Sequence, residues 1–128
     1  MRAMLNAGEQ IRVVALAGDA DEAKELADRL RPTVTLLDDR IAEPEGTDLV
    51  HALARRSPVI ALTSATEHRA ISAMLLAPFQ GCLVYGHLEE ADLRQAVRAV
   101  AAGLGWLSPV AVAAVTRALR ESARRGAG

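Results

Sequence analysis

Short apolar runs alternate with amphipathic segments along the whole chain. Runs at 11–17, 33–38, 59–63 and 82–85 have the length and the aliphatic content of buried strands. The longer segments between them place apolar residues three or four positions apart, as on one face of a helix. This alternation predicts a parallel sheet that is covered by helices on both faces.

The predicted helices begin at recognisable capping residues. Ser64 and Glu67 have the spacing of a capping box, and Ser108 is followed by Pro109, a residue favoured at the first position of a helix. We predict that the last helix runs through Leu119 and that a frayed, polar and basic end follows it. The predicted helical segments are 19–31, 47–56, 64–75, 89–103 and 108–119.

Candidate chemistry lies where the predicted strands end. Asp38 ends the second strand, Thr63 ends the third and Tyr85 ends the fourth. Because parallel strands end at one edge, and ligands bind beyond that edge, we expect these three residues on one rim. Asp39 is adjacent to Asp38, but successive strand residues point to opposite sides, so both cannot line one pocket.

Composition narrows the class of protein. The chain has 128 residues, which fits one domain, and its aromatic content of 2% predicts an aliphatic core with few platforms for stacking bases. A net charge of −1 gives no global attraction to nucleic acid or anionic membrane. No apolar run reaches transmembrane length and no signal peptide is recognisable, so we expect a cytoplasmic protein. The single Cys82 excludes an intrachain disulfide.

An enzyme is not indicated by the residues. We find no nucleophile–base pair, no P-loop and no cluster of metal ligands, and the three histidines lack ligand spacing. The arginines of the last helix are best interpreted as a solvated helix end that the dipole favours. Contact with nucleic acid, or the start of a linker, is the alternative. These arginines are Arg117, Arg120, Arg124 and Arg125.

Five stretches together resemble bacterial response-regulator receiver domains, especially the NarL/LuxR-type branch. The strongest is "RPTVTLLDDRIAEPEG", which is similar to the branch's phosphoacceptor strand and loop, usually RPDVVLMDLRMPGMDG. The stretch "LNAGEQIRVVALAGDADEA" is similar to the family's second βα unit, and "VIALT" is similar to its strand that ends in Thr. The stretch "GCLVY" occupies the place of the strand GYLLK, and "LRQAVRAVAAGLGWLSP" is similar to the closing stretch of these receivers.

The resemblance implies a flavodoxin-like, CheY-like fold with a parallel sheet between two helical layers, and it implies roles for named residues. Asp38 would be the phosphoacceptor, and the backbone carbonyl of Arg40 would help to hold Mg²⁺. Thr63 would be the switch hydroxyl that turns toward the phosphoryl group. Asp39 falls at a position that is usually apolar in the family, so it is interpreted as a bystander.

The chain also departs from the family pattern in three places. The family's first strand, with the acidic pair that supplies most Mg²⁺ ligands, is expected to be absent, because the chain starts in what resembles the end of the family's first helix. Asp19 does not end such a strand, since it lies too close to Asp38 for the two βα units that would have to separate them. Asp19 and Asp21 are predicted to be carboxylates at a helix N-terminus. The family's Lys is Tyr85 here, and its aromatic switch residue is Cys82, which we interpret as a core residue. We therefore expect weak Mg²⁺ binding and slow or absent phosphorylation of Asp38.

The expected organisation is a receiver-like domain at 1–107, incomplete at its N-terminus, and a linker helix with a basic tail at 108–128. The absent strand would leave an unpaired sheet edge, so a homodimer is predicted. A sensor histidine kinase is the implied phosphodonor, and we expect no direct nucleic-acid binding and no membrane contact. Two alternatives stay open: a phosphorylation-independent dimerisation or ligand-sensing module, and the receiver portion of a DNA-binding transcriptional regulator.

Overall fold

A parallel four-stranded sheet forms the centre of the protein. The computed structural model describes residues 16–38, 47–64, 78–87 and 89–127. The strands lie side by side in chain order, and each is parallel to its neighbour. They are β1 (Thr35–Asp38), β2 (Val59–Thr63), β3 (Gly81–Val84) and β4 (Trp106–Leu107).

The predictions for β1, β2 and β3 are confirmed, with small shifts at their ends. β3 ends at Val84, and Tyr85 begins a short 3₁₀ turn instead of ending the strand. The two-residue β4 was not predicted, since it is too short to show a periodic pattern. Most of the predicted strand at 11–17 and most of the predicted helix at 64–75 lie outside the described residues.

Four α-helices are described, and all were predicted. Asp19 caps the first of them, because its side chain accepts a hydrogen bond of 2.8 Å from the backbone N–H of Glu22. Asp21 lies in the first turn, so the prediction of N-terminal helix carboxylates is confirmed. The helices are α1 (Ala20–Leu30), α2 (Thr47–Ala54), α3 (Glu90–Ala101) and α4 (Pro109–Ala127).

The last helix is longer than predicted. It continues to Ala127, whereas the sequence pattern placed its end at Leu119 and a frayed segment beyond it. The apolar period does stop near Leu119, but the residues that follow are mostly Arg, Ala and Glu, which favour a helix even when exposed. Basic Arg124 and Arg125 in the last turn also interact favourably with the helix dipole.

The sheet is packed on both faces, and β2 shows how. Ile60 and Leu62 point to one face, where they form a cluster with α3. Val59 and Ala61 point to the other face, where α1, α2 and α4 pack. All five residues of β2 are buried, as expected for a strand that helices cover on both sides. The α3 cluster contains Ile60, Leu62, Leu83, Leu93, Ala96 and Val100.

A glycine brings β3 and β4 close together. A Cβ atom at Gly81 would lie 2.7 Å from the backbone oxygen of Trp106, so a larger residue cannot be accommodated without movement. Trp106 packs its half-buried side chain against the α3 cluster. Ser108 follows β4 and donates its backbone N–H to the carbonyl oxygen of Cys82 at 3.0 Å, so α4 starts directly from the sheet.

Candidate functional site

The carboxyl edge of the sheet collects the residues that the sequence singled out. Asp38 is the last residue of β1, Thr63 is the last of β2, and Tyr85 directly follows β3. Asp38 pairs in register with Leu62, and Thr63 pairs with Val84. The three residues therefore lie at the ends of three neighbouring strands, on the edge where parallel α/β sheets bind ligands.

A hydrogen bond joins two of these side chains. The hydroxyl of Tyr85 donates to Oδ2 of Asp38 at 2.6 Å, and both side chains are partly buried. β2 lies between β1 and β3, so the Tyr85 side chain reaches across the end of β2 to make this bond. Its ring packs against the α3 cluster, which fixes the direction of the hydroxyl.

Thr63 is oriented differently from Asp38. In a parallel ladder, residues in register point to the same face and successive residues alternate. Asp38 therefore shares a face with Leu62, whereas Thr63 shares the opposite face with Val84. Thr63 is also completely buried, with 0% of its surface exposed. The Thr63 side chain is therefore buried on the face of the sheet opposite to that of Asp38.

Tyr85 orients Asp38 without neutralising it. A phenol donates one hydrogen bond and carries no positive charge at neutral pH, unlike an ammonium group. A charge-assisted bond of this kind holds the carboxylate in place and occupies part of one oxygen. The site can thus position a nucleophilic carboxylate, but the phenol cannot offset additional negative charge on it.

Cys82 belongs to the core and not to the carboxyl edge. It lies inside β3, in register with Ala61 on one side and Leu107 on the other, and it is completely buried. Its neighbours include Ala111 and Ala114 of α4. The interpretation of Cys82 as a core residue is confirmed, and a small buried thiol at this place cannot act as a swinging aromatic side chain.

The described residues do not assemble a magnesium site. In the described ranges, no three His, Cys, Asp or Glu side chains lie close enough together to hold a metal ion. Asp38 contributes a carboxylate, one oxygen of which accepts the Tyr85 hydrogen bond. A Mg²⁺ ion bound at this carboxylate would take most of its other oxygen ligands from water or from a phosphoryl group. The proposed carbonyl ligand at Arg40, and Asp39, lie outside the described residues.

The hydrogen bond between Tyr85 and Asp38 was not predicted from the sequence. The position of Tyr85 on the rim followed from the strand pattern, but the contact depends on the order of strands in the sheet. The sequence offered one indication of this hydrogen bond, the polar residue at the end of β3. The bond could be inferred only together with the strand order, in which β2 separates β1 from β3.

Comparison with known proteins places this geometry in a family. The DNA-binding transcriptional activator DevR/DosR of Mycobacterium tuberculosis is 33% identical over 125 residues, which cover 95% of this chain and 57% of that protein. A protein-glutamate methylesterase/protein-glutamine glutaminase of Rhizobium etli is 36% identical over 77 residues, which cover 59% of this chain and 22% of that enzyme. No family model matches the chain.

Solved structures agree on the fold. A LuxR-family two-component response regulator from Aurantimonas sp. SI85-9A1 superposes with a TM-score of 0.80 at 22% identity, over 91% of this chain and 84% of that one. The response regulator ChrA of a heme-sensing two-component system superposes with a TM-score of 0.71 at 27% identity, over 93% of this chain and 58% of that one. The chain is a response-regulator receiver domain with homologues of the LuxR/NarL type.

The match covers only part of the relative's length. The chain spans little more than half the length of DevR/DosR, 57% of it. Within the described ranges, none of the helices is both long and apolar enough to cross a membrane.

Proposed function

We propose that this receiver domain carries Asp38 as its phosphoacceptor position, that phosphorylation there is slow, and that the domain signals through protein contacts. The observation that carries the proposal is the 2.6 Å hydrogen bond from the Tyr85 hydroxyl to Asp38 Oδ2. A carboxylate at the carboxyl edge of a parallel sheet is suited to attack phosphorus, and the phenol beside it supplies orientation without positive charge.

The cost of a missing positive charge is large on the scale of reaction barriers. A phosphoryl group adds about 1.5 to 2 negative charges to the site. Two unit charges about 4 Å apart near a protein surface interact with about 4 kcal/mol. Since each ~1.4 kcal/mol is a tenfold change in rate, replacement of an ammonium group by a phenol is sufficient to make phosphorylation slow.

The resemblance gives Thr63 the role of switch hydroxyl, and we retain that role as part of the proposal. Its complete burial, on the face opposite to Asp38, means that the switch requires a rearrangement at the end of β2. Such a rearrangement would carry the signal from the carboxyl edge to the face that α4 covers, because Thr63 shares that face with Val84.

The proposed partners follow from the family. A sensor histidine kinase is the natural phosphodonor of a receiver, and a homodimer is the proposed form in which the signal is passed on. The unit 1–107 would contain the receiver and 108–128 the connecting helix, which packs on the sheet through Ala111 and Ala114.

Phosphorylation by a small donor tests the proposal directly. The unmodified chain and three variants, Asp38→Asn, Tyr85→Lys and Tyr85→Phe, are incubated with acetyl phosphate and Mg²⁺ and separated on Phos-tag gels. We expect a slow reaction of the unmodified chain and a rate at least about tenfold higher for Tyr85→Lys, because the Lys restores about 1.4 kcal/mol or more of charge stabilisation. Tyr85→Phe, which removes the hydroxyl but adds no charge, is the matched control and should stay close to the unmodified chain.

Each alternative has its own result. Rapid, stoichiometric modification of the unmodified chain would contradict slow phosphorylation, and a product that persists in Asp38→Asn would contradict the assignment of Asp38. If Tyr85→Lys also stays unmodified while its circular dichroism matches that of the unmodified chain, the charge at this position does not limit the reaction. The phosphorylation-independent alternative, a dimerisation or ligand-sensing module, would then be favoured.

A second candidate concerns the protein in which this domain acts. The similarity to the DNA-binding transcriptional activator DevR/DosR runs through 95% of this chain, which favours the receiver portion of a DNA-binding regulator. The coding sequence downstream of residue 128 tests this candidate. A helix-turn-helix domain in frame would support it, and a stop codon at that point would contradict it.

A further inference from the structure

The contact between helix α4 and the sheet is made by small side chains. Ala111 and Ala114 are buried, and they pack against Ala61, Cys82 and Val84 of the sheet. Beyond Ala114, none of the residues of α4 whose burial is described is buried. An alanine buries only a methyl group, so this contact removes less apolar surface from water than the leucine-rich cluster beneath α3.

A cavity of about 530 Å³ lies beside this contact. Its lining includes Val115 of α4 together with Phe79 and Leu107, two side chains that pack against the same cluster as Ala114. Val115 directly follows Ala114 along the helix and is only partly buried. Close-packed protein interiors have few voids of this size, so the packing of α4 on the sheet is incomplete after its second buried alanine.

The residue before α4 makes the packed arrangement less favourable still. Ser108 is 4% exposed, and in the described part of the chain its Oγ has no hydrogen-bond partner. A Ser at the start of a helix usually accepts a hydrogen bond from a backbone N–H of the first turn, and this cap is not made here. A buried hydroxyl without a partner is unfavourable relative to one that water can reach. Movement of α4 away from the sheet would bring water to Ser108.

Strand β4 is attached more firmly than the helix that follows it. The backbone N–H of Trp106 donates to the carbonyl oxygen of Gln80 at 3.3 Å. The backbone N–H of Ser108 donates to the carbonyl oxygen of Cys82 at 3.0 Å. Neither bond involves a residue of α4, so both can persist when the helix leaves the sheet. The junction of Ser108 with Pro109 is therefore the point about which α4 would move.

We infer that α4 is a strap that opens from the sheet as a unit, while the sheet and β4 stay folded. In the closed arrangement Ala111 and Ala114 cover Cys82, and in the open arrangement solvent reaches the Cys82 side chain. Such a local opening costs less free energy than global unfolding, because it gives up few apolar contacts. It requires no chemistry at Asp38, so it is independent of the proposed function.

The thiol of Cys82 provides the measurement. Cys82 is the single cysteine of the chain, it is buried, and it packs beneath α4. The full chain is treated with the thiol reagent DTNB at a series of urea concentrations below the unfolding transition. We expect Cys82 to react at least about tenfold faster than global unfolding allows. Its rate should hardly depend on urea in this range, because a local opening exposes little surface.

Two pairs of variants show whether the opening belongs to α4. Val115→Leu adds a methylene beside the cavity and should slow the reaction about threefold. Val112→Leu makes the same change at a position that is 47% exposed and should leave the rate nearly unchanged. Ala114→Gly removes a buried methyl group and should speed the reaction at least about threefold more than Ala113→Gly on the exposed side. Urea denaturation gives the global stability of each variant.

Three results would overturn the inference. The first is a reaction of Cys82 whose urea dependence equals that of global unfolding at every concentration. The second is an equal change of rate within each pair of variants, because helix propensity and not contact with the sheet would then control the opening. The third is a local opening that no substitution in α4 alters, which would assign it to another segment. The assay contains no phosphodonor, so its outcome is separate from that of the phosphorylation experiment.

Discussion

The interior of the sheet and its carboxyl edge are built from different kinds of residue. In β2 and β3 every residue is buried, and helices cover the faces that these strands present. At the edge, one residue beyond β3, the polar side chain of Tyr85 is only partly buried and donates a hydrogen bond to Asp38. The comparison teaches that the packing of this sheet rests on buried aliphatic residues, whereas the polar side chains at its carboxyl edge are held by a hydrogen bond between residues of different strands.

Truncation of a core residue in the interior of the sheet should have the largest effect on the stability of the domain. Leu83 is 1% exposed and packs between β2 and α3, so Leu83→Ala should lower the free energy of unfolding by about 3 kcal/mol, through lost burial and a cavity. Urea denaturation followed by circular dichroism measures this change. Leu119→Ala, at a position that is 66% exposed, is the matched control and should change stability by less than about 0.5 kcal/mol. Equal effects of the two substitutions would show that the interior does not dominate stability.

Removal of the Tyr85 hydroxyl should have a smaller effect on stability. Tyr85→Phe keeps the ring against the α3 cluster and deletes only the hydrogen bond to Asp38, which we expect to cost about 1 kcal/mol because the bond is partly buried. The same substitution is then made in an Asp38→Ala background. There its cost should vanish, because the acceptor is already absent. An identical cost in both backgrounds, measured by urea denaturation, would mean that the bond does not contribute to folding.

The smallest effect is expected at an exposed ion pair far from both regions. The guanidinium of Arg56 donates a hydrogen bond to Asp28 and lowers the pKa of that carboxyl below its usual value. A carboxyl whose pKa is lowered by folding stabilises the protein above its ordinary pKa, and this contribution disappears as the pH falls through the lowered value. Arg56→Gln should therefore lower the Tm slightly at pH 7.

The pH dependence of the Tm distinguishes an electrostatic effect of this ion pair from an effect of the substitution on packing. Thermal melts of the chain and of Arg56→Gln should converge as the pH falls below the lowered pKa of Asp28, where the carboxyl is protonated in both proteins. Lys24→Gln, which removes a neighbouring positive charge on α1, serves as the comparison for a charge without this hydrogen bond. A difference in Tm that persists unchanged at acidic pH would contradict the electrostatic explanation.

The sequence was informative where a residue's role depended on local pattern. Alternation and short apolar runs predicted β2 and β3, and the pair Ser108–Pro109 predicted the start of α4. The placement of Asp38 at a strand end also followed from local pattern together with the general rule for parallel sheets. These features depend on neighbours within a few residues, which is why a single sequence is enough to find them.

Features that depend on distant partners could not be predicted in this way. β4 has two residues, and it is defined by its pairing with Gly81 and Cys82 rather than by its own pattern. The bond between Tyr85 and Asp38 joins residues 47 positions apart and requires the strand order of the folded sheet. The C-terminal part of α4 remains helical because its residues have a high intrinsic helix propensity. The spacing of apolar residues, from which the end of the helix was predicted, carries no information about this propensity.

Helix α4 is a long, rigid element that is attached to the rest of the domain at its N-terminal end. Its base is anchored beside β3 by the hydrogen bond from Ser108 to Cys82, and its tip lies about 28 Å away, beyond the amino edge of the sheet. A tilt of about 5° at the base displaces the tip by about 2 Å. A sub-ångström movement at the base of α4 that produced such a tilt would therefore displace its tip by a distance that a neighbouring molecule could sense.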